Sequence, residues 1–205
     1  MIIQPRIYLA SQSQRRRDLL KQIGVNFEML LPRIDPRRKL DTDETPLADE
    51  MAENYVQRIC KSKAAAGWEA LKFRNLPLFP VVAADTCVAL DGKIIGKPLG
   101  REQAADILRT LSGRQHHVLT AVAIVFDRRL EMRLSVSKVT FATLREERIR
   151  RYLLTNEPLD KAGSYAIQGY AAAFIEQLSG SYSGVMGLPL FETSELLQTF
   201  GYPVL

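Results

Sequence analysis

The chain has 205 residues, of which 46% are hydrophobic and 25% charged, with a formal net charge of +5. That is ordinary globular composition, which excludes a disordered chain, a collagen and a disulfide scaffold. No run reaches the ~18 apolar residues needed to cross a bilayer. The first residues lack a signal-peptide pattern, and two cysteines, Cys60 and Cys87, are too few to build a zinc site of their own. A cytoplasmic protein without a membrane partner is expected.

Arg6 to Ala10 predicts a short strand, Ser11-Gln12-Ser13 a turn and cap, and Gln14 to Ile23 a helix stopped by Gly24. Val25 to Leu31 is a second strand candidate and Pro32 to Thr45 an exposed loop. Thr45 is expected to cap a helix from Pro46 to Ala66 that Gly67 ends. Pro80 to Leu90 predicts a strand, Asp91-Gly92 a turn and Lys93 to Ile95 its partner. Arg101 to Leu111 is an amphipathic helix. Val118 to Phe126 and Met132 to Phe141 form two strands around Asp127-Arg128-Arg129. A helix over Arg145 to Leu154, a strand over Ala172 to Leu178 and a helix over Pro189 to Phe200 complete the chain. Helices interleaved with hairpins point to α/β with a mixed, partly antiparallel sheet.

Charge is unevenly spread. Met1 to Lys39 holds nine basic and three acidic residues, and Leu40 to Val56 six acidic and no basic ones. The positive balance hints at an anionic partner. No basic stripe interleaved with aromatics supports nucleic acid, and so sharp an alternation speaks against it.

Three features carry chemistry. Arg15-Arg16-Arg17 opens a helix, where cations oppose the helix dipole at about 0.3–1 kcal/mol each. A solvated basic face would tolerate that. An anion cradle would use it, with Ser11, Ser13 and free backbone N–H groups as donors and Arg15 and Arg16 as bidentate charge. Asp85 lies in the apolar run Pro80 to Leu90, where an unpaired carboxylate is costly to bury. It is either a salt-bridged strand residue or a general base or metal ligand at a cleft, with Lys63 and Lys97 as partners for charge on phosphate. Leu159 to Gly169, with Asp160, Lys161 and Gln168, has the texture of a tight binding loop. His116 and His117 have no partner at ligand spacing and are expected to be structural, as is Cys87.

Ala10-Ser11-x-Ser13-x-Arg15-Arg16, Ala84-Asp85-Thr86, Gly96-Lys97-Pro98 and the Asp160 to Gly169 string together resemble the Maf family. Leu111-Ser112-Gly113, Gly180-Ser181-Tyr182-Ser183 and Gly187-Leu188-Pro189-Leu190 extend the match over nearly the whole chain. The resemblance implies an elongated two-lobed α/β fold related to inosine triphosphatases, formed by one domain over residues 1–205 with a cleft between the lobes. It also implies a nucleoside triphosphate pyrophosphatase with a house-cleaning role, dependent on a divalent cation, Mg²⁺ or Mn²⁺.

Arg15, Thr86 and Gln168 match the pyrimidine branch, which acts on dTTP and UTP, and the Gln168 amide offers donor and acceptor to a uracil or thymine edge. Asp85 is expected to activate water and touch the metal, and Ser11, Arg15, Arg16, Lys63, Lys97, Asp160 and Lys161 to bind substrate. Where the family has Gly and Pro this chain has Gln12 and Gln14. Where relatives read Ile-Asp-Glu it reads Ile34-Asp35-Pro36, which leaves Asp35 as the second expected metal ligand. Rival readings are another triphosphate, such as 7-methyl-GTP or CTP, and a non-catalytic regulator of cell division. The sequence does not fix the oligomeric state, for which a homodimer is the assembly to test.

Overall fold

The structure, a computed structural model, describes residues 6–31 and 43–204. It contains a seven-stranded mixed sheet in the order β2-β1-β3-β5-β6-β7, with β4 paired to β3. The strands are β1 (Ile7–Leu9), β2 (Phe27–Met29), β3 (Val81–Leu90), β4 (Lys93–Ile95), β5 (Gln115–Phe126), β6 (Arg129–Phe141) and β7 (Ile175–Ser179). The helices are α1 (Gln14–Gln22), α2 (Ala52–Phe73), α3 (Arg101–Leu111), α4 (Glu146–Leu153), α5 (Tyr182–Met186) and α6 (Leu190–Thr199). β1 pairs in parallel with β2 and β3, and every other pairing is antiparallel.

Side chains alternate along β3 and separate the packing on its two faces. Val81, Ala83 and Cys87 meet Val56, Cys60, Trp68 and Leu71 of α2, together with Leu119, Ala121 and Ala123 of β5. On the opposite face, Val82 and Ala84 pack with α1 and α6, and Val88 and Leu90 with α3, α4 and the aromatics Phe141, Tyr165 and Phe174. Both faces are covered, so β3 reads as a nearly continuous apolar run. Each fully buried aliphatic side chain contributes about 1.5–3 kcal/mol. The two clusters on the second face are separated at Thr86.

The pairing of β3 creates the feature that matters for function. β1 is in register with β3 at Tyr8–Val81 and Leu9–Val82, and the last bond to this side runs from the Ala10 N–H to the Val82 carbonyl. β4 pairs with β3 only from Val88 onward. Among the described residues, Ala83 to Cys87 therefore has a strand on the β5 side alone, leaving a notch in the sheet beyond the end of β1. Ligands of open α/β sheets bind beyond the carboxyl ends of strands where the strand order reverses, which in the order β2-β1-β3 is between β1 and β3.

Several expected boundaries move. The long helix does not start at Pro46 under a Thr45 cap. It starts at Ala52, because Glu50 binds the Arg58 guanidinium and the Leu47 N–H, which folds Thr45–Glu50 into a loop. Nor does Gly67 end it. Gly67 is buried in mid-helix, where an added Cβ would come within 2.9 Å of the Ala10 Cβ and 3.0 Å of Val81, so the missing side chain lets α2 approach β1 and β3. The strand expected from Ala172 begins at Ile175, after a 3-10 turn over Tyr170–Phe174. β5 starts earlier, at Gln115, and its turn to β6 is reduced to Asp127-Arg128. Helix α5 has no counterpart among the expected elements. The expected loop from Pro32 lies largely outside the described residues. No helix among those residues is long and apolar enough to cross a membrane.

Candidate active site

Asp85 sits at the notch, 7% exposed, on the α2 face of β3. α2 runs antiparallel to β3: Gly67 lies beside Val81, Cys60 donates to the Ala83 carbonyl, and Cys87 donates to the Ala52 carbonyl. Lys63 shares the sheet-facing stripe with Val56, Cys60 and Gly67, which carries its ammonium to the strand. Lys63 Nζ is 2.7 Å from Asp85 Oδ1 and 2.6 Å from Glu44 Oε1. One cation thus holds two carboxylates, the arrangement that permits charge at a buried position.

Glu44 was not among the expected site residues. Thr45 N–H donates to Asp43, Arg58 donates to the Thr45 carbonyl, and the Tyr55 hydroxyl donates to the Glu44 carbonyl. These bonds hold the loop against α2. Burial raises the Glu44 carboxyl, but Lys63, and after it Lys97 and Arg16, outweigh this and bring it below its ordinary value. Burial, then Asp85 and Glu44, push the Tyr55 phenol up to about 12, which keeps it a neutral donor. Asp35, expected to serve as metal ligand, lies outside the described residues.

The opposite wall is built from α1. Ser13 caps the helix by accepting from the Arg16 N–H, and Ser11 Oγ accepts from the Ser13 N–H and from Arg16 Nη1. Arg16 also donates to the Gly187 carbonyl at 2.8 Å through Nε and to Thr86 Oγ1 at 3.4 Å through Nη2. Burial pushes its guanidinium below the ordinary value while Asp85 opposes the shift. Arg15 donates through Nε to the Met186 carbonyl at 3.2 Å. The two arginines therefore differ: Arg16 is tied to three protein acceptors, whereas among the described residues the amino groups of Arg15 make no hydrogen bond.

α5 secures these contacts. The Ser181 hydroxyl caps it at the Gly184 N–H, Ser137 Oγ accepts from the Ser181 N–H, and Thr120 Oγ1 donates to the Gly184 carbonyl. An extra Cβ at Gly180 would fall 2.6 Å from Ser137 Oγ. α5 is thereby pressed onto the sheet, with the Met186 and Gly187 carbonyls presented to the arginines.

The remaining expected residues fall at the rim. Lys97 is exposed and close enough to act on Glu44. Burial raises the Asp160 carboxyl, but Lys161 and then Arg15 outweigh this and hold it below the ordinary value. Lys161 is bonded to Asp160 and, at 2.7 Å, to the Glu157 carbonyl. Gln168 is exposed and, among the described residues, no hydrogen bond joins it to Thr86 or the arginines. Glu157 shapes the backbone after it by accepting from the Tyr170 and Ala171 N–H groups and the Tyr152 hydroxyl. Buried outside the site, Cys60 and Cys87 have thiols raised to about 12 by burial. His116 is engaged with Tyr165 in the core.

Two carboxylates on one ammonium are hard oxygen donors of the kind that hold Mg²⁺ or Mn²⁺ together with substrate phosphates. Among the described residues no group of three or more His, Cys, Asp or Glu could form a cage without a substrate. The donor set fits a cation that needs phosphate oxygens to complete its shell.

Comparison with known proteins identifies the family. The model of the family described as "Maf-like protein" matches residues 6–200. The chain is 55% identical over 203 residues to a protein of Aromatoleum aromaticum named dTTP/UTP pyrophosphatase, covering 98% of each chain. A protein of Nitrosomonas europaea with the same name is 54% identical over 198 residues, covering 97% of this chain and 96% of that one. Among solved structures, the Ham1 protein of Staphylococcus aureus superposes with a TM-score of 0.50 at 15% identity, over 95% of this chain and 97% of that one. That likeness supports the α/β fold alone.

Proposed function

Because the chain belongs to the family of Maf-like proteins, we propose that it is a dTTP and UTP pyrophosphatase, cleaving between the α- and β-phosphates to release the nucleoside monophosphate and pyrophosphate. The names of the relatives support the substrate class. The observation that carries the chemistry is the Glu44–Lys63–Asp85 cluster at the strand notch, with Arg15 and Arg16 on the facing wall.

In this reading the triphosphate lies across the notch, in the cleft between two lobes of a single domain. Arg15 and Lys97 bind phosphate oxygens, Lys161 and Asp160 line the rim, and Arg16 with Ser11 sets the wall against which they work. Asp85 Oδ1 is engaged by Lys63, and its other oxygen takes a proton from water as that water attacks the α-phosphorus. The new bond forms between water oxygen and phosphorus, the bridging bond to the β-phosphate breaks, and the electron pair leaves with pyrophosphate. Such transfers depend on positioning and charge stabilisation. Glu44 and Asp85 would hold a divalent cation, which would supply positive charge against the phosphate oxygens. Thr86 and Gln168 select the base, Gln168 reaching it from the exposed rim once substrate is bound. A cytoplasmic location belongs to the same proposal.

The test is kcat/KM for pyrophosphate release from dTTP, UTP, CTP, ATP, GTP and 7-methyl-GTP with Mg²⁺ or Mn²⁺. dTTP and UTP should lead. Preference for 7-methyl-GTP or a purine nucleotide would overturn the assignment.

A further inference from the structure

The hydroxyls on the face of the sheet opposite α2 form a chain whose hydrogen positions are fixed at both ends. Thr120 Oγ1 lies 2.7 Å from the Gly184 carbonyl oxygen. A carbonyl only accepts, so the Thr120 hydrogen must lie between them. Thr86 Oγ1 lies 2.9 Å from Thr120 Oγ1. The single Thr120 hydrogen is already committed, so the Thr86 hydrogen fills this second contact. At the other end Arg16 Nη2 approaches Thr86 Oγ1, and a guanidinium only donates. The direction is therefore set as Arg16 to Thr86 to Thr120 to Gly184.

A hydroxyl has one hydrogen and two acceptor positions. For Thr86 the hydrogen is spent on Thr120 and one acceptor position on Arg16. What a ligand meets at the partly exposed Thr86 is one remaining acceptor and no donor. The Gly184 carbonyl that anchors the chain is itself fixed, since its residue is capped by Ser181 and a Cβ there would press on Ser135 Oγ at 3.2 Å.

We infer that Thr120 is a positioning residue that holds the Thr86 hydroxyl as an acceptor toward the base, so that the site favours the N3–H of uracil and thymine over the bare N3 of cytosine. This rests on the reading of the notch as a pyrimidine triphosphate site with Thr86 against the base. Uracil and thymine carry a hydrogen at N3 and complete the chain. Cytosine presents a lone pair there and would leave two acceptors facing each other, the mismatch by which a hydrogen-bonding site rejects an analogue.

The test is the ratio of kcat/KM for UTP to that for CTP in the wild type, T120V, T120S and T86V, with thermal unfolding of each. T120V keeps the β-branched shape and removes the link to Gly184, which frees the Thr86 hydrogen to turn to cytosine N3. The ratio should fall about tenfold, the worth of one such bond, and T120S should retain the wild-type ratio. T86V reaches the same loss by removing the acceptor and keeps the test available if T120V does not fold. A folded T120V with the wild-type ratio would overturn the inference, as would a wild type that cleaves CTP as well as UTP. Failure of the wild type to cleave dTTP or UTP would instead overturn the pyrimidine reading beneath it.

Discussion

Two buried titratable side chains on neighbouring strands meet opposite fates. Asp85 on β3 is 7% exposed and His116 on β5 is fully buried, so burial alone does not separate them. His116 is enclosed by rings: Phe141 at 5.0 Å and Tyr165 at 5.4 Å between centroids, with its Nε2 at 2.9 Å from the Tyr165 hydroxyl. Burial drives it to the neutral form, with a pKa pushed down to about 4. Asp85 has Lys63 on one oxygen and lies where the sheet lacks a neighbouring strand. The pair teaches that a buried polar group serves structure when its surroundings are closed and apolar. On the proposed function it serves chemistry when its charge partner leaves it bonding capacity that faces a gap.

The sharpest way to break this contrast is to exchange the carboxylate for its isostere. Asp85→Asn should lower pyrophosphate release by at least ~10²-fold, the usual cost of a lost general base, with the thermal midpoint little changed. Activity within a few-fold of wild type would place Asp85 in the same class as His116. For His116 itself the expected effect is on stability. The unfolded histidine, with its ordinary value of 6.5, binds a proton before the folded one does, so stability is complete above about pH 6.5. It is lost as pH falls from about 6.5 to 4, by about 3 kcal/mol in all. Urea titrations across that range should show the slope, and His116→Phe should flatten it while leaving kcat at neutral pH unaltered.

The two arginines sharpen the contrast within the site. Arg15→Ala should raise KM about tenfold with an unchanged melting temperature, because it removes a charge-assisted contact to phosphate. Arg16→Ala should lower both kcat and the melting temperature, because it strips partners from Gly187, Ser11 and Thr86. The sequence assigns both arginines to substrate binding and Arg15 also to the match with the pyrimidine branch, and their acceptors distinguish them further. An effect on stability rather than on substrate binding is expected at Gly67→Ala, where overpacking against Ala10 and Val81 should cost about 1–3 kcal/mol. Some activity should be lost with it, since a displaced α2 carries Lys63 away from Asp85.

Elements with strong local signals were legible. The apolar run of β3, its Asp91-Gly92 turn and the amphipathic α3 lie within a residue of their expected bounds. Arg15, Arg16, Asp85, Thr86 and Lys63 were legible as candidates because their residue types conflict with local context or match the family strings. Glu44 was not. It stands in an acidic segment that reads as a solvated face, and only the fold of Thr45–Glu50 on Arg58 brings it to Lys63. The start of α2 was obscured for the same reason, since the Glu50–Arg58 bonds compete with helix and leave no local mark. α5 is five residues long and held by contacts to the distant Thr120 and Ser137, so periodicity could not reveal it.

In the proposed reaction, water activated by Asp85 attacks the α-phosphorus of a pyrimidine triphosphate. Hydrolysis of dTTP in ¹⁸O-enriched water, with products resolved by ³¹P NMR and mass spectrometry, tests it most directly. The account predicts thymidine monophosphate and pyrophosphate in equal amounts, with the label in the monophosphate. Label in the pyrophosphate, or release of orthophosphate with thymidine diphosphate, would contradict it.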